Sequence, residues 1–187
     1  MSAAATSTAR SFASAAAAPA TVSPNHPMPT GSWTLYFHAP DDRSWAPDSY
    51  KRIHAVGTWE DLGATLRELG SGRLTNGMVF AMRGSTSPLW EHHSNIRGGC
   101  YCLKVSRRAA LEVFTRYLAA AASECVTTDP DANPIVGVTI SPKKGFVIIK
   151  LWNTDGRAHR DPAEIVPLHE EVNIAEILYR PHVEQKF

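Results

Sequence analysis

The hydrophobic positions of this chain fall into short runs with the period of β-strands and longer runs with the period of helices. Residues 33–37 and 78–82 are rich in aromatic and aliphatic side chains, and both runs predict strands. A further strand is predicted at 99–105, and a terminal strand at 177–180. Alternation within 99–105 predicts two faces: Tyr101, Leu103 and Val105 on one, and Cys100, Cys102 and Lys104 on the other.

Residues 135–152 predict a β-hairpin whose turn is Pro-Lys-Lys-Gly at 142–145. Lysines that share a strand face with an indole make a small cationic and aromatic patch, which suits a phosphate chain held beside a base. The alternative is a solvated hairpin turn of no special function. Alternation in the second strand predicts Val147, Ile149 and Leu151 on one face, and Ile148, Lys150 and Trp152 on the other.

Helical periodicity predicts three helices. Thr58 is typical of an N-cap, and it precedes an apolar stripe that a glycine-rich stop ends at Gly70. A longer helix is predicted over residues 106–123. A third helix is predicted to begin either at Asp161 or at Pro167, because a proline inside a helix body costs about 3 kcal/mol.

Composition and charge limit the organisation of the chain. With 187 residues and 43% hydrophobic residues, the chain can bury one core and is short for two domains. The net charge of +1 provides no global basic field, so nucleic-acid binding would need a local cluster. The 3 cysteines are too few for a disulfide framework, and we expect a reducing compartment. No apolar run is long enough to span a bilayer, so we expect no membrane insertion.

Residues 1–25 differ in composition from the rest of the chain. They are almost wholly Ala, Ser, Thr and Pro, with Arg10 as the only charged residue. Such a segment cannot bury enough apolar surface to offset the entropy of ordering, so it predicts a disordered tail. We therefore expect one domain over residues 26–187.

The dipeptide Trp90-Glu91 offers the chemistry of a base-binding site. An indole face can stack on a flat base, and a carboxylate can accept two parallel N–H donors such as those of guanine. Methylation of guanine at N7 adds a positive charge, which strengthens both interactions. A bare Trp-Glu pair is more often a loop anchor beside a solvated carboxylate, so its function depends on the residues around it.

Those surrounding residues identify a family. Trp90-Glu91, followed by Asn95, by Arg-Gly-Gly at 97–99 and by an aromatic residue, resembles the signature of the eukaryotic translation initiation factor 4E family of mRNA cap-binding proteins. The resemblance extends in order over about residues 26–179. It implies an α+β fold in which a strongly curved antiparallel sheet holds the cap on its concave face and carries three helices on its convex face.

The resemblance also implies roles for individual residues in binding the 7-methylguanosine cap. Trp45 and Trp90 would stack on the two sides of the base, and Glu91 would accept its N–H donors. Trp152 would lie against the N7-methyl group. The phosphate contacts would come from four basic residues: Arg97, Lys143, Lys144 and Lys150. The basic residue that the family keeps on the second hairpin strand falls at Ile148, so Lys150 or Lys144 would replace it.

In this family the convex face binds a partner helix, and here the partner site is altered. His26 and Pro27 are present, but Trp59 stands at the family's Val position and Gly63 at its Trp position. The family's Gly-Glu pair reads Ser-Glu, ending in Glu124. We expect an exposed Trp59 to anchor the partner about one helical turn away, and the partner to be a 4G-like scaffold or a 4E-binding-protein-like peptide. The alternative is that Trp59 folds inward and this surface binds no partner.

These residues suggest three possible functions. The first is a cap-binding protein that takes part in translation initiation or its regulation in the cytoplasm, without catalysis, cofactor or metal. The second is a protein-interaction scaffold or translational repressor with the same fold. The third is a metal-dependent hydrolase with Glu91 as base and four ligands, His92, His93, Cys100 and Cys102. The third is disfavoured because adjacent histidines diverge and no Cys-x-x-Cys motif is present.

Overall fold

The structure is a computed structural model that describes residues 25–183. The predicted tail, residues 1–25, therefore lies almost wholly outside the described residues. A single curved sheet of seven antiparallel strands has the order β2-β1-β3-β5-β6-β4-β7. The strands are β1 Trp33–His38, β2 Lys51–Val56, β3 Met78–Arg83, β4 Gly99–Val105, β5 Gly137–Pro142, β6 Val147–Asn153 and β7 Leu178–Pro181. The predicted antiparallel sheet and the α+β class are confirmed.

Two long helices cover one face of the sheet, α1 Trp59–Thr75 and α2 Ala110–Ala122. In α1 the side chain of Thr58 accepts the N–H of Asp61, as the N-cap prediction requires. The predicted stop at Gly70 is a kink, because Gly70 has a positive φ of 59° and the helical segment resumes after it. Three short 3-10 helices complete the fold: Pro47–Ser49, Pro162–Glu164 and Ile174–Glu176.

The third predicted helix is one turn of 3-10 helix, Pro162–Glu164. Asp161 caps it by accepting the N–H of Ala163, so of the two predicted starts the structure has the one at Asp161. The helix ends after one turn because Ile165 is extended, with φ −85° and ψ 128°. Pro167 follows two residues later, and the lack of an N–H on proline opposes a longer helix there.

Strand β2 was not predicted from the sequence. Its residues are mostly exposed, and its sequence Lys-Arg-Ile-His-Ala-Val has no apolar alternation. The strand lies at the edge of the sheet, where it pairs only with β1 among the described strands. Charged side chains are typical of edge strands because they oppose pairing with other chains. Such a strand shows no hydrophobic pattern from which it could be predicted.

The two faces of the sheet differ in what they bury. The helix-covered face holds the main core, which contains Leu103 of β4, Ile149 and Leu151 of β6 and Phe114 of α2. The open face holds a smaller cluster built on Tyr50, Phe80, Met82, Cys100, Cys102 and Trp152. The alternation predicted for β4 and β6 is therefore correct. Neither α1 nor α2 packs on the open face, so it is the face available for a ligand.

Candidate functional site

A cavity of about 420 Å³ lies on the open face of the sheet. Its walls come from four parts of the chain: the β1–β2 connection, strand β3, the loop between β3 and β4, and the hairpin of β5 and β6. The predicted site residues that line it are Trp45, Trp90, Glu91, Lys143, Lys150 and Trp152. The remaining lining residues are Tyr50, Met78, Phe80, Pro88 and Ser141. The fold thus brings together three indoles, a carboxylate and two ammonium groups.

The loop that carries Trp90 is held from inside by Asn95, whose side chain is only 1% exposed. The Asn95 amide donates to the carbonyl oxygens of Ser87 and Leu89, both at 2.7 Å. Its own side-chain oxygen accepts from the Ser94 hydroxyl at 3.2 Å. These bonds fix the loop on both sides of Trp90, whose indole is 44% exposed. Asn95 appeared in the sequence only as part of a motif, and no pattern indicated this role.

The loop that carries Trp45 is held by a ring contact. The Trp45 indole lies parallel to the imidazole of His38, with 4.2 Å between centroids and 8° between planes. His38 is buried, and its Nε2–H donates to the carbonyl of Ser44 at 2.8 Å. Trp45 is 53% exposed, so much of the indole remains open to a ligand. His38 was not predicted as a site residue, because its position at the end of β1 gives no functional signal.

Buried aromatic side chains form the floor of the cavity. Trp152 is 4% exposed and donates its indole N–H to Thr139 Oγ1 at 2.9 Å. Phe80 contacts Trp152 edge to face, with 6.3 Å between centroids, and Tyr50 contacts Phe80 at 5.2 Å. Burial, with a smaller contribution from Glu91, raises the pKa of Tyr50 to about 12. The Tyr50 hydroxyl therefore stays neutral, and the carboxylate of Glu91 is the anion of the cavity.

His182 lies behind the floor. Its ring contacts Trp152 with 4.6 Å between centroids, and its Nδ1–H donates to the backbone carbonyl of Asn95 at 2.8 Å. Burial lowers the pKa of His182, and the hydrogen bond to Asn95 opposes that shift in part. Nearby charges act in opposite directions, since Lys150 lowers this pKa and Glu91 raises it. A neutral imidazole thus links the Trp90 loop to the floor.

The predicted phosphate contacts divide into two groups. Lys143 and Lys150 line the cavity, as a phosphate-binding role requires. Lys144 is exposed in the same hairpin turn and does not line it. Arg97 is exposed in the loop before β4 and also lies outside the lining, where its carbonyl accepts the N–H of Gly156 at 2.9 Å. The geometry therefore favours Lys143 and Lys150 over the other two.

The predicted partner residues surround the start of α1. The side chain of His26 bonds to Glu60 at 2.6 Å, and its carbonyl accepts the N–H of Trp59 at 3.0 Å. Hydrogen bonds from the side chain and backbone of His26 lower the pKa of Glu60 to about 2. Pro27 pairs with Thr58 as an isolated β-bridge. The N-terminal segment is thus attached to the first turn of the helix.

The expectation of an exposed Trp59 needs correction. Trp59 is half-buried and packs against the main core. It is the first residue of α1, and its packing on the core leaves the indole only partly open. Gly63 is also half-buried one turn later. Glu124 has a left-handed φ of 55° and forms an ion pair with Arg83 at 2.7 Å.

The metal-dependent hydrolase has no structural support. Among residues 25–183 there is no group of three or more His, Cys, Asp or Glu side chains that could hold a metal ion. The rings of His92 and His93 contact each other, and His92 also bonds to Ser94. Cys100 and Cys102 are buried side by side with 3.7 Å between the sulfur atoms. None of the helices in the part of the chain that the structure describes is long and apolar enough to cross a membrane.

Comparison with known sequences gives a consistent result. The sequence model described as eukaryotic initiation factor 4E matches residues 30–186. Eukaryotic translation initiation factor 4E of Saccharomyces cerevisiae is 28% identical over 134 residues, which cover 68% of this chain and 61% of that protein. The same factor of Eremothecium gossypii is 27% identical over 139 residues, covering 71% of this chain and 64% of that protein. The chain therefore spans less than two thirds of the length of these two relatives.

Solved structures share the fold. The complex of C. elegans eIF4E-3 with the 4E-binding protein Mextli has a TM-score of 0.62 at 18% identity, covering 71% of this chain and 78% of that chain. The complex of Ascaris suum eIF4E-3 with the m2,2,7G cap has a TM-score of 0.61 at 17% identity, covering 87% of this chain and 94% of that chain. The matched sequence model covers more than half of the chain and includes the whole cavity lining. The chain belongs to the eukaryotic initiation factor 4E family.

Proposed function

We propose that this protein binds the 7-methylguanosine cap of mRNA and takes part in translation initiation or its regulation, as a binding module without catalysis or cofactor. The observation that supports this most directly is the composition of the cavity. Trp45, Trp90, Glu91 and Trp152 come from distant parts of the chain and line the same 420 Å³ space. That volume lies within the range of about 300–1,000 Å³ that is usual for small-molecule sites.

Each group has a chemical task in this proposal. Trp45 and Trp90 stack on the methylated base, whose positive charge attracts the π-faces of the indoles. Glu91 accepts two N–H donors of the guanine edge, and its negative charge complements the base. Trp152 offers the edge of a buried indole to the N7-methyl group, while its N–H is already used by Thr139.

The phosphates would be held by point charges. Lys143 and Lys150 lie at the cavity, and an ammonium group attracts phosphate without demanding one geometry. Lys144 and Arg97 lie farther away and would act at longer range, where salt screens them more strongly. The family supports this proposal, since a structure of Ascaris suum eIF4E-3 was solved with the m7G cap.

The test is a titration with cap analogues, followed by the fluorescence of the tryptophans. We expect 7-methyl-GTP to quench the fluorescence and to bind far more tightly than GTP, because GTP lacks the positive charge on its base. Glu91→Gln should weaken binding of 7-methyl-GTP by about 2–4 kcal/mol, whereas Glu170→Gln, at an exposed glutamate outside the cavity lining, should not. Equal affinity for GTP and 7-methyl-GTP would contradict the proposal.

The helix-covered side is proposed as the partner site, with a 4G-like scaffold or a 4E-binding-protein-like peptide as the partner. The support is the structure of C. elegans eIF4E-3 with the 4E-binding protein Mextli, together with the partly open indole of Trp59. Trp59→Ala should weaken peptide binding by about 2 kcal/mol and leave cap affinity unchanged. Trp59→Phe should weaken peptide binding by less. Because Trp59 also packs on the core, the free energy of unfolding must be measured for both variants.

Cap chemistry is compatible with both promotion and repression of translation. The partner decides between the two, because a scaffold recruits further factors and a short peptide blocks them. Purification on immobilised 7-methyl-GTP from cell extract, with elution by free cap analogue, would identify the co-purifying proteins. We infer a cytoplasmic location from this role.

A further inference from the structure

Two thiols lie side by side on the open face of the sheet, and the proposed cap site makes no use of them. Cys100 and Cys102 belong to β4 and are separated by one residue, so their side chains project from the same face. Their sulfur atoms are 3.7 Å apart. Cys100 is 6% exposed and Cys102 is 8% exposed, whereas Cys125, the other cysteine of the chain, is exposed after the end of α2. The first two thiols are therefore placed to react with each other, and Cys125 provides an exposed thiol for comparison.

The backbone geometry of a strand permits a bond between these two sulfur atoms. A strand rises about 3.3–3.4 Å per residue, so Cα atoms two residues apart are separated by roughly 6.6–6.8 Å. Disulfides usually join Cα atoms that are about 4.4–6.8 Å apart. Cys100 and Cys102 are thus within reach of a disulfide, at the upper end of the usual range, and rotation of the two side chains can close the remaining gap between the sulfur atoms.

The surroundings of the pair favour a thiolate at Cys102. Its cross-strand partner on β6 is Lys150, and the partner of Cys100 on β7 is Arg180. The hydrogen bond from the Cys100 thiol lowers the pKa of Cys102 against the effect of burial, and the charges of Lys150 and Arg180 lower it further. The same bond and burial raise the pKa of Cys100. An acidic thiol beside cationic groups is typical of redox-active cysteines, so Cys102 is the nucleophile of the pair.

We propose that Cys100 and Cys102 form a modification site, at which hydrogen peroxide converts the two thiols of β4 into a reversible disulfide. The small exposed area of both residues selects the oxidant. Hydrogen peroxide is small enough to reach a sulfur atom at the bottom of a narrow opening, whereas glutathione disulfide is a bulky peptide. Under reducing conditions the pair remains two thiols, as we expect for the resting protein.

The reaction has two steps. The Cys102 thiolate attacks one oxygen of the peroxide, the O–O bond breaks, and hydroxide leaves, so that Cys102 becomes a sulfenic acid. The sulfur of Cys100 then attacks the sulfur of Cys102, the S–O bond breaks, and the departing hydroxyl leaves as water with the proton of Cys100. The first hydroxide takes up the proton that Cys102 had released to solvent. Two thiols are thus oxidised to one disulfide, and one peroxide is reduced to two waters.

The disulfide should also change the floor of the cap pocket, a consequence that rests on the proposed function. Trp152 is the cross-strand partner of Cys100, and Lys150 is that of Cys102, and both partners line the cavity. A bond between the sulfur atoms draws the two cysteine side chains together and away from these partners. Because such shifts in a packed cluster are costly, we expect oxidation to weaken binding of 7-methyl-GTP by about three- to ten-fold.

The modification can be tested without any nucleotide. The parent chain is Cys125→Ser, in which Cys100 and Cys102 are the remaining cysteines. After hydrogen peroxide treatment and denaturation, this chain should lack thiols that react with N-ethylmaleimide, and its mass should be lower by two hydrogen atoms. Dithiothreitol should restore both thiols. In the wild type, glutathione disulfide should modify the exposed Cys125 and leave Cys100 and Cys102 free.

Single variants of the parent chain test the order of the two steps. With Cys100→Ala, oxidation should stop at a sulfenic acid on Cys102, which dimedone captures. With Cys102→Ala, Cys100 should react several-fold more slowly, because its thiol keeps its proton. Unfolding curves of both variants verify that the fold is retained, and the mass of the oxidised parent chain provides a test that alters neither residue of the pair.

The outcomes separate this inference from the proposed function. Two free thiols in the parent chain after peroxide treatment would overturn the modification site, and so would equal rates of oxidation in the two single variants. If the disulfide forms and the affinity for 7-methyl-GTP stays the same, the modification site stands and its effect on the cap pocket is wrong. If the reduced chain does not bind 7-methyl-GTP, the proposed function fails, while the mass measurement still decides whether the disulfide forms.

Discussion

The two loops that supply the indoles of the proposed cap pocket are held in different ways. The Trp90 loop is fixed from inside by the buried amide of Asn95, which donates to two backbone carbonyls at 2.7 Å. The Trp45 loop rests on His38, whose ring lies parallel to the indole at 4.2 Å between centroids and whose Nε2–H donates to the carbonyl of Ser44 at 2.8 Å. The Trp90 wall is thus held by hydrogen bonds from a buried side chain of its own loop, and the Trp45 wall by contacts with a residue of strand β1.

The difference in bonding implies a difference in rigidity. Leaving a buried carbonyl unsatisfied costs about 1–3 kcal/mol, so the Trp90 loop opens only at a high cost. An aromatic pair contributes about 0.5–1.5 kcal/mol, and Trp45 is also 53% exposed. We therefore expect the Trp90 wall to be preformed in the free protein. The Trp45 wall is the one that adjusts when a base enters.

The largest effect is expected from removing the internal anchor. Asn95→Ala deprives the carbonyls of Ser87 and Leu89 of their donor, and it should lower the free energy of unfolding by about 2–4 kcal/mol. Urea denaturation would measure this loss. Ser94→Ala is the control in the same loop. It removes the hydroxyl's bonds to Asn95 at 3.2 Å and to His92 at 2.8 Å but leaves both backbone carbonyls with their donor, so it should cost about 1 kcal/mol or less. Equal losses for the two variants would show that Asn95 is not the anchor.

The fold could be predicted from the sequence wherever side chains alternate between a core and an open face. The run 99–105 and the second hairpin strand were predicted with the correct faces, because one face is buried in each case. Strand β2 could not be predicted, since an edge strand gains little from apolar residues. The third helix was expected from the start signal at Asp161, but local capping supports only one turn there.

The ligand-binding residues of the candidate site could be predicted, because their residue types indicate the chemistry. Trp90, Glu91 and Trp152 were recognised through a family resemblance, and the structure places them around one cavity. The residues that hold the site in place could not be predicted. His38 and His182 contribute through contacts with residues distant in sequence or on another loop, and no local pattern records such contacts.

The second effect is expected from removing the ring of His38, which holds Trp45. His38→Leu removes the ring under Trp45, and we expect the affinity for 7-methyl-GTP to fall by about 0.5–1.5 kcal/mol. His38→Phe keeps a ring and loses only the hydrogen bond to Ser44, so its affinity for 7-methyl-GTP should fall less. Fluorescence titration measures both variants. Tighter binding by His38→Leu would break the comparison, because it would mean that Trp45 must leave His38 before it can hold the base.

A smaller effect should separate the lysines. Lys150 lies on strand β6 at the cavity, whereas Lys144 lies in the exposed turn. Lys150→Met should weaken 7-methyl-GTP by about 0.5–1 kcal/mol relative to 7-methyl-GMP, and the difference should shrink as salt is added. Lys144→Met is the control and should change the ratio less. Titrations at two salt concentrations would test this, and a larger effect at Lys144 would show that the turn, and not the strand, binds phosphate.

The smallest effect is a pH dependence at the junction of the fixed wall and the floor. Burial lowers the pKa of His182, whose Nδ1–H bonds to Asn95 and whose ring contacts Trp152. The folded chain therefore takes up this proton at lower pH than the unfolded chain, whose histidine titrates near 6.5. Stability from the neutral ring is present above that pH and is lost as the pH falls towards the folded pKa.

The test compares the wild type with His182→Gln by urea denaturation between about pH 7.5 and pH 5.5, where carboxylates stay ionised. The free energy of unfolding of the wild type should fall more steeply with decreasing pH than that of His182→Gln, because the other histidines contribute equally to both chains. The charge of Lys150 lowers the pKa of His182, so Lys150→Met should raise that pKa towards its unfolded value. The free energy of unfolding of Lys150→Met should therefore fall less steeply with decreasing pH than that of the wild type. Parallel pH curves for the wild type and His182→Gln would mean that the fixed wall of the pocket does not depend on a neutral imidazole.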